Sequence, residues 1–348
     1  MAQGSQLAAR LGFSLPVIAA PLAGGPTTSA LVLAAAKVGS LGFLAGGYKT
    51  PQALADQIES VSAAAEGAPF GVNLFAPNPM QVDRDEFRAY TRLMTDEAAR
   101  YGVRLDASSP REDDDSWHEK VDVLRAHPVP LISFTFGIPS AADLAALRAT
   151  GALLVQSVTT VGEARAAAQA GVDALAVQSS AAGGHSATLD PRRAIADVPL
   201  DELVAAVRRA VPLPVIAAGG VATASDVAGA LRAGADAVAV GTVLLRSAEA
   251  GTSATHKAAL ADTSRTETVV THAFTGRPAR ALRNEFTARY ENLAPYGYPA
   301  LHYLTSPLRK AAAAAGDPER VHLWAGTGFR HATEEPVADI LTRLAAAI

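Results

Sequence analysis

Residues 173–185, DALAVQSSAAGGH, bring together the residue types that could do chemistry. The run 174–177 is continuously apolar, as in a strand covered by helices on both faces, and Gln178 and Ser179 end it. A loop is expected next, in which Gly183 and Gly184 remove two Cβ atoms just before His185. Backbone can then approach a flat or phosphorylated ligand closely while the imidazole points at it. An imidazole with its ordinary pKa of about 6.5 has two jobs open to it. It can remove a proton from a carbon acid, or it can hold an anion when protonated. An isolated Gly-Gly-His is also what a tight turn with a surface histidine looks like, so the surrounding elements must decide.

Those elements repeat one pattern. Residues 151–156 (GALLVQ), 171–178 (GVDALAVQ) and 234–241 (GADAVAVG) each read as a helix-ending glycine, a short link and an apolar strand. Each follows an alanine-rich helical pattern, at 141–149, 160–170 and 223–233. A helix that stops at glycine and runs into a buried strand is half of a parallel βαβ unit. Strands are predicted at 16–20, 41–45, 70–75, 130–135, 152–156, 174–178, 214–218 and 236–241, with helices between most of them. This length and rhythm predict an α/β fold, a (β/α)8 TIM barrel, whose function sits on the loops after the strands. No G-x-G-x-x-G follows the first strand, as a doubly wound dinucleotide fold would show, and no Walker-type loop occurs.

Two stretches break the rhythm, and they divide the chain. Residues 1–76, 128–242 and 334–348 are read as the barrel; 77–127 and 243–333 are read as insertions forming a small, mainly helical lid. The pattern 335–347 is expected to return and cover the last or first strand. The acidic run 112–115 reads as a solvated loop rather than a metal site. On the barrel frame, Gly219, Gly220, Gly241 and Thr242 fall after strands seven and eight, the usual phosphate cradle of this fold. Asn73 and Gln178 put amides, which read heterocycle edges, on the same face.

Composition narrows the class. At 49% hydrophobic, 18% charged and net charge −4, the 348 residues suit an ordinary globular enzyme and carry no basic patch for nucleic acid or an anionic membrane. Without cysteine there is no disulfide, thiolate nucleophile or Cys-based metal site, which fits the cytoplasm. The apolar SLPVIAAPLAGG near the N-terminus is bracketed by Pro16 and Pro21 and reads as strand one rather than a signal peptide. No apolar run is long enough to span a membrane.

Taken together, LPVIAAPLAGGPTTSALVLAAAKVGSLGFLAGGYKTP, FGVNLFAP, SFTFGIP, VQSSAAGGH, AAGGVATASDVAGALRAGADAVAVGT, FTGRPARALRNEF and LTSPLRKAAAAAGDPERVHLWAG resemble the bacterial nitronate monooxygenases, formerly 2-nitropropane dioxygenases. The resemblance implies a TIM barrel that binds FMN non-covalently and uses O2 to oxidise alkyl nitronates to carbonyl compounds and nitrite, without metal or nicotinamide. It implies FMN contacts from Asn73, Gln178, Gly183, Gly220, Ala239, Val240, Gly241 and Thr242, with His185 as the catalytic histidine. The partners so implied are a small-molecule substrate and O2; the oligomeric state is left open.

The chain departs from the pattern at Ser179, Ala181, Leu22 and Thr327. In QG-x-EAGGH a glycine is usual where Ser179 stands and a glutamate where Ala181 stands, while Leu22 stands where Met is common and Thr327 where Gln is common. The loss at Ala181 bears on substrate choice more than on flavin binding. The alternatives that remain are an FMN-dependent enoyl-thioester reductase using NAD(P)H, a weakly active FMN-binding barrel, and a non-flavin phosphate-binding barrel. Arg277, Arg280 and Arg283 are read as clamps between lid and barrel, and Trp324 as either a flavin stacker or a lid anchor. The other histidines lack paired metal spacing and read as surface or structural.

Overall fold

The computed structural model describes residues 6–348. Its parallel strands are β1 (Val17–Ala19), β2 (Gly42–Ala45), β3 (Phe70–Ala76), β4 (Leu131–Phe136), β5 (Leu153–Val158) and β6 (Ala174–Gln178). A two-residue strand, β7 (Gly184–His185), precedes β8 (Val215–Ala218) and β9 (Ala237–Val240), and β10 (Thr268–Thr271) and β11 (Ala279–Leu282) follow. Strands β1 to β6, β8 and β9 close into a barrel, with Val17 of β1 opposite Val238 of β9. All eight barrel strands lie where the apolar runs predicted them.

The strands are short because each is bounded by chemistry the helices need. Thr28, Thr50, Ser140, Thr160 and Thr223 turn their side-chain oxygens onto backbone N–H groups of the next helix and so start it. Gly171 ends the helix Val161–Ala170 at φ 88°, a conformation costly for a residue with a Cβ.

Alternation then sorts the strand side chains. Val72 and Leu74 of β3, Ile132 and Phe134 of β4 and Val215 and Ala217 of β8 face the helical shell, against residues such as Leu54, Ile58, Leu144 and Val207. Burying each such side chain contributes about 1.5–3 kcal/mol, so this shell is the main store of stability. Ile18, Phe43, Leu131, Val155 and Ile216 fill the barrel interior, and the helix Gln6–Leu11 closes its floor with Leu7 and Leu11. Near the mouth the interior changes character, with Asn73 and Ser133 buried among neighbouring residues.

The helix Val337–Leu344 packs its buried face into the barrel's outer core, where Val337, Ile340, Leu341 and Leu344 meet it. The two insertions share a separate cluster: Val82, Phe87, Tyr90 and Met94 pack with Phe274, Phe286, Tyr290 and Leu301. The helix Trp117–Ala126, which the sequence boundaries assign to the first insertion, belongs instead to the barrel shell through Trp117, Val121 and Leu124. The insertions are not all helix. β10 and β11 form an antiparallel hairpin, and β11 pairs with β7, setting Ala279 opposite His185. No helix among the described residues is long and apolar enough to cross a membrane.

Candidate functional site

His185 is held by backbone on one side and aromatic rings on the other. The segment read as a loop is a strand: β7 pairs with β11, and Ser186 N–H donates to the Pro278 carbonyl at 2.9 Å. Gln178 spans the same turn, donating through Nε2 to the His185 carbonyl at 3.2 Å and accepting from Ala187 N–H at 2.8 Å. Its amide therefore fixes the loop, a use that the expectation of heterocycle reading missed. Phe136, Tyr298 and Trp324 surround the imidazole at centroid distances of 5.6, 5.7 and 5.4 Å. Phe136, at the end of β4, and Tyr48, in the turn after β2, have φ of 83° and 66°, left-handed conformations that aromatic residues occupy only when surroundings enforce them.

The electrostatics are unusual. Arg277 is fully buried and Arg309 nearly so, and neither guanidinium forms an ion pair with a carboxylate among the described residues. Arg277 donates through Nη2 to the Thr188 carbonyl and lies over the Phe136 ring at 4.0 Å, while its Nε and Nη1 have no acceptor. Arg309 donates to Thr305 Oγ1 and to the His302 carbonyl. Burial lowers both guanidinium pKa values to about 10, so both remain cations at neutral pH. Glu163, the acid that acts on Arg277, is occupied with Thr159, Thr188, Leu189 and Arg193. A buried cation without a counter-charge is costly, and an anionic ligand relieves that cost.

This chamber also decides the state of His185. Burial, then the charges of Arg277 and Arg309, push its pKa down to about 3. The imidazole is therefore neutral at working pH, and of the two jobs open to it only proton removal suits that state. Positive charge comes instead from the arginines. Of the three arginines read as clamps, Arg280 is one, bonding the Ser180 carbonyl at 2.7 Å and Thr268 Oγ1 at 3.0 Å. Arg283 pairs with Glu267 on the hairpin surface, while Arg277 faces His185's surroundings.

The second half of the site is built of backbone. Gly219 and Gly220 have φ of 109° and 77°, and a Cβ on Gly220 would fall 2.9 Å from that of Ala181. On Gly183 a Cβ would fall 2.5 Å from Gly326 N. Thr327 N–H donates to the Ala181 carbonyl at 3.0 Å, and Gly326 N–H to Thr242 Oγ1 at 2.9 Å. Four chain segments thus meet at the mouth, around residues 181–183, 219–220, 241–242 and 325–327. Among the described residues the backbone N–H groups of Gly220, Val221 and Thr242 meet no backbone acceptor, and free N–H groups clustered at a loop are the kind of donor an anion takes.

The remaining expected contacts divide. Asn73 reaches the barrel interior, where Nδ2 bonds Ser133 Oγ at 2.9 Å and Thr135 Oγ1 at 3.0 Å, and its Oδ1 takes no donor among the described residues. Ala239 lines the interior, whereas Val240 turns its side chain into the helical shell and reaches the mouth by backbone alone. Trp324 packs on His185 and Phe274. Sequence reasoning gave no site role to Tyr48, Phe136, Tyr298 and Thr275, although three of them lie inside the quoted motifs, and it read His302 as surface or structural. Stacking of Tyr48 on His302 at 4.0 Å places that histidine in the chamber wall. The acidic run is not simply solvated, because Asp115, half-buried, pairs with the buried Lys120 at 2.6 Å and accepts from Tyr48 N–H at 3.0 Å.

The closed barrel of eight parallel strands ringed by helices is a TIM barrel, and the relatives it matches define its class as a flavin-dependent oxidoreductase. The nitronate monooxygenase family matches residues 7–347, and the chain belongs to that family. A probable nitronate monooxygenase of Staphylococcus aureus strain Newman is 33% identical over 345 residues, covering 98% of this chain and 96% of that protein. Among solved structures, a nitroalkane oxidase from Streptomyces ansochromogenes superposes with a TM-score of 0.91 at 43% identity, covering 98% and 96% of the two chains. FabK from Thermotoga maritima superposes at 0.75 with 26% identity, covering 98% and 94%.

Proposed function

We propose that this protein oxidises alkyl nitronates, and nitroalkanes after removing their α-proton, with O2 to carbonyl compounds and nitrite, using FMN. The observation that carries the reading is the pair of buried cations, Arg277 and Arg309, left without carboxylate partners beside a neutral histidine. Such a chamber selects an anion, and a nitronate is the anion that the family acts on. FMN, when bound, takes up electrons from the substrate and passes them to O2.

The chain's own residues divide the remaining work. Gly183, Gly220, Gly241 and Thr242, with the backbone of Ala239 and Val240, hold the single phosphate. Asn73 offers Oδ1 to a ring N–H, and Gln178 sets the loop that carries His185. No dinucleotide fingerprint exists for an adenosine half, so the flavin is FMN rather than FAD. His185 takes the α-proton of a neutral nitroalkane, and the nitronate that forms beside it offsets the charges of Arg277 and Arg309, which otherwise oppose imidazolium. The two insertions act as one lid that excludes water from this exchange.

The test is reductive. Under anaerobic conditions ethyl nitronate bleaches the flavin rapidly and NADH and NADPH do not, and denaturation releases FMN. Fast reduction by a nicotinamide with no response to the nitronate would overturn the assignment in favour of an enoyl-thioester reductase.

A further inference from the structure

The turn of the β10–β11 hairpin carries Thr275 into the chamber, where its side chain is buried and its Oγ1 lies 2.9 Å from His185 Nε2. Either atom is able to donate in that contact, so the rest of the hydroxyl's surroundings decide. Thr275 Oγ1 is 3.2 Å from the carbonyl of Arg277, which takes no other donor, and it also receives Arg277 N–H at 3.4 Å. A hydroxyl has one hydrogen. If that hydrogen goes to the Arg277 carbonyl, the oxygen is an acceptor toward His185, and the shared proton is Nε2–H.

The opposite arrangement fits worse. With Thr275 donating to Nε2, the imidazole proton moves to Nδ1, where no protein acceptor meets it, and the Arg277 carbonyl loses its donor. Nδ1 has no protein partner among the described residues in either arrangement, so the difference is the Arg277 carbonyl, and an unmet polar group is disfavoured at a buried site. Phe136 and Tyr298 pack edge to face on the ring and hold it in this orientation.

We propose that Thr275 is a positioning residue that fixes His185 as the Nε2–H tautomer and leaves Nδ1 as the atom that takes the α-proton. The inference rests on the nitroalkane reading for its substrate. In the step, the Cα–H bond breaks, its electron pair moves into the nitro group to give the nitronate, and the proton forms a new bond to Nδ1. Nε2–H stays on Thr275 throughout. The charged and titratable groups acting on His185 or acted on by it are Arg277, Arg309, His302 and His322. None of them is hydrogen-bonded to either ring nitrogen.

The experiment uses FMN-loaded protein labelled with 15N-histidine, with Thr275→Val and Thr275→Ser as variants and His185→Asn to assign the signal. Wild type and Thr275→Ser show a protonated Nε2 and an unprotonated Nδ1 at pH 7.5, whereas Thr275→Val shows a mixture of tautomers. In Thr275→Val, kcat/KM for neutral nitroethane falls about tenfold or more while pre-formed ethyl nitronate loses much less, and Thr275→Ser restores the ratio. An Nδ1–H signal in the wild type overturns the assignment, as does a Thr275→Val protein with unchanged tautomer and unchanged substrate ratio. If neither substrate is turned over, the functional reading fails while the tautomer signals still decide the role of Thr275. If Thr275→Val does not fold, the wild-type tautomer decides it.

Discussion

The two halves of the site are made of different material. The cradle proposed for FMN is backbone: Gly219, Gly220, Gly241 and Thr242 follow consecutive barrel strands, and each would contribute mainly by what it lacks or by its N–H. The chamber is side chain: Tyr48, Phe136, His185, Arg277, Tyr298, Arg309 and Trp324 converge from both the barrel and the second insertion. The chamber depends on charge instead, since Arg277 and Arg309 are buried there with no carboxylate ion pair among the described residues.

The sharpest break between the halves is expected at His185. Changing it to Asn keeps a polar side chain of similar size, so FMN remains bound, but turnover of neutral nitroethane falls by roughly 10²–10⁴. Ethyl nitronate, already lacking the proton, loses far less, and steady-state kinetics on both substrates measure the split. Equal activity on both would reduce the histidine to part of a strand.

Gly220→Val attacks the other half. Its Cβ would collide with that of Ala181 at 2.9 Å and its φ of 77° disfavours any β-branched residue, so the protein should purify with little flavin. Absorbance of bound flavin after gel filtration reads this directly. Arg277→Met comes next in size: flavin is retained, but KM for ethyl nitronate rises about 10–100-fold, the range expected for a lost charge-assisted hydrogen bond. If KM is unchanged and only thermal stability moves, Arg277 is a structural clamp like Arg280.

A smaller effect separates the halves by pH. Burial lowers the pKa of His185 to about 3 and of His256 to about 4, and it lowers those of His302 and His322 as well. Unfolded histidine binds a proton near pH 6.5, which the folded protein refuses until lower pH, so the unfolded state holds more protons across that window. Stability is therefore full above about pH 6.5 and falls as the pH drops toward 4. Urea midpoints at pH 7.5 and 4.5 should show this loss, and His256→Gln should reduce it. The least effect is expected at Gly151→Ala. Its φ of 91° carries the same backbone strain as Gly220, but a Cβ there meets nothing within 4 Å. The cost is about 1–2 kcal/mol of stability with flavin content unchanged.

The local grammar of this chain was sufficient for the barrel. Threonine and serine caps, helix-ending glycines such as Gly151 and Gly171, and short apolar runs are properties of neighbours in sequence, and local chemistry determines them. The placement of Gly219, Gly220 and Gly241 at strand ends was legible for the same reason, since a strand end and its loop are contiguous. The chamber was not legible, because its members are joined only by folding. Arg277 and Arg280 stand in one motif, GRPAR, yet one is an unpaired cation beside His185 and the other a clamp. Strand alternation and the pairing of β7 with β11 separate them, and that pairing joins residues nearly a hundred positions apart. Burial likewise decided the charge of His185. The sequence supplied an imidazole able to titrate near neutrality, and only the packing of Phe136, Tyr298, Trp324 and two guanidiniums around it made that imidazole neutral.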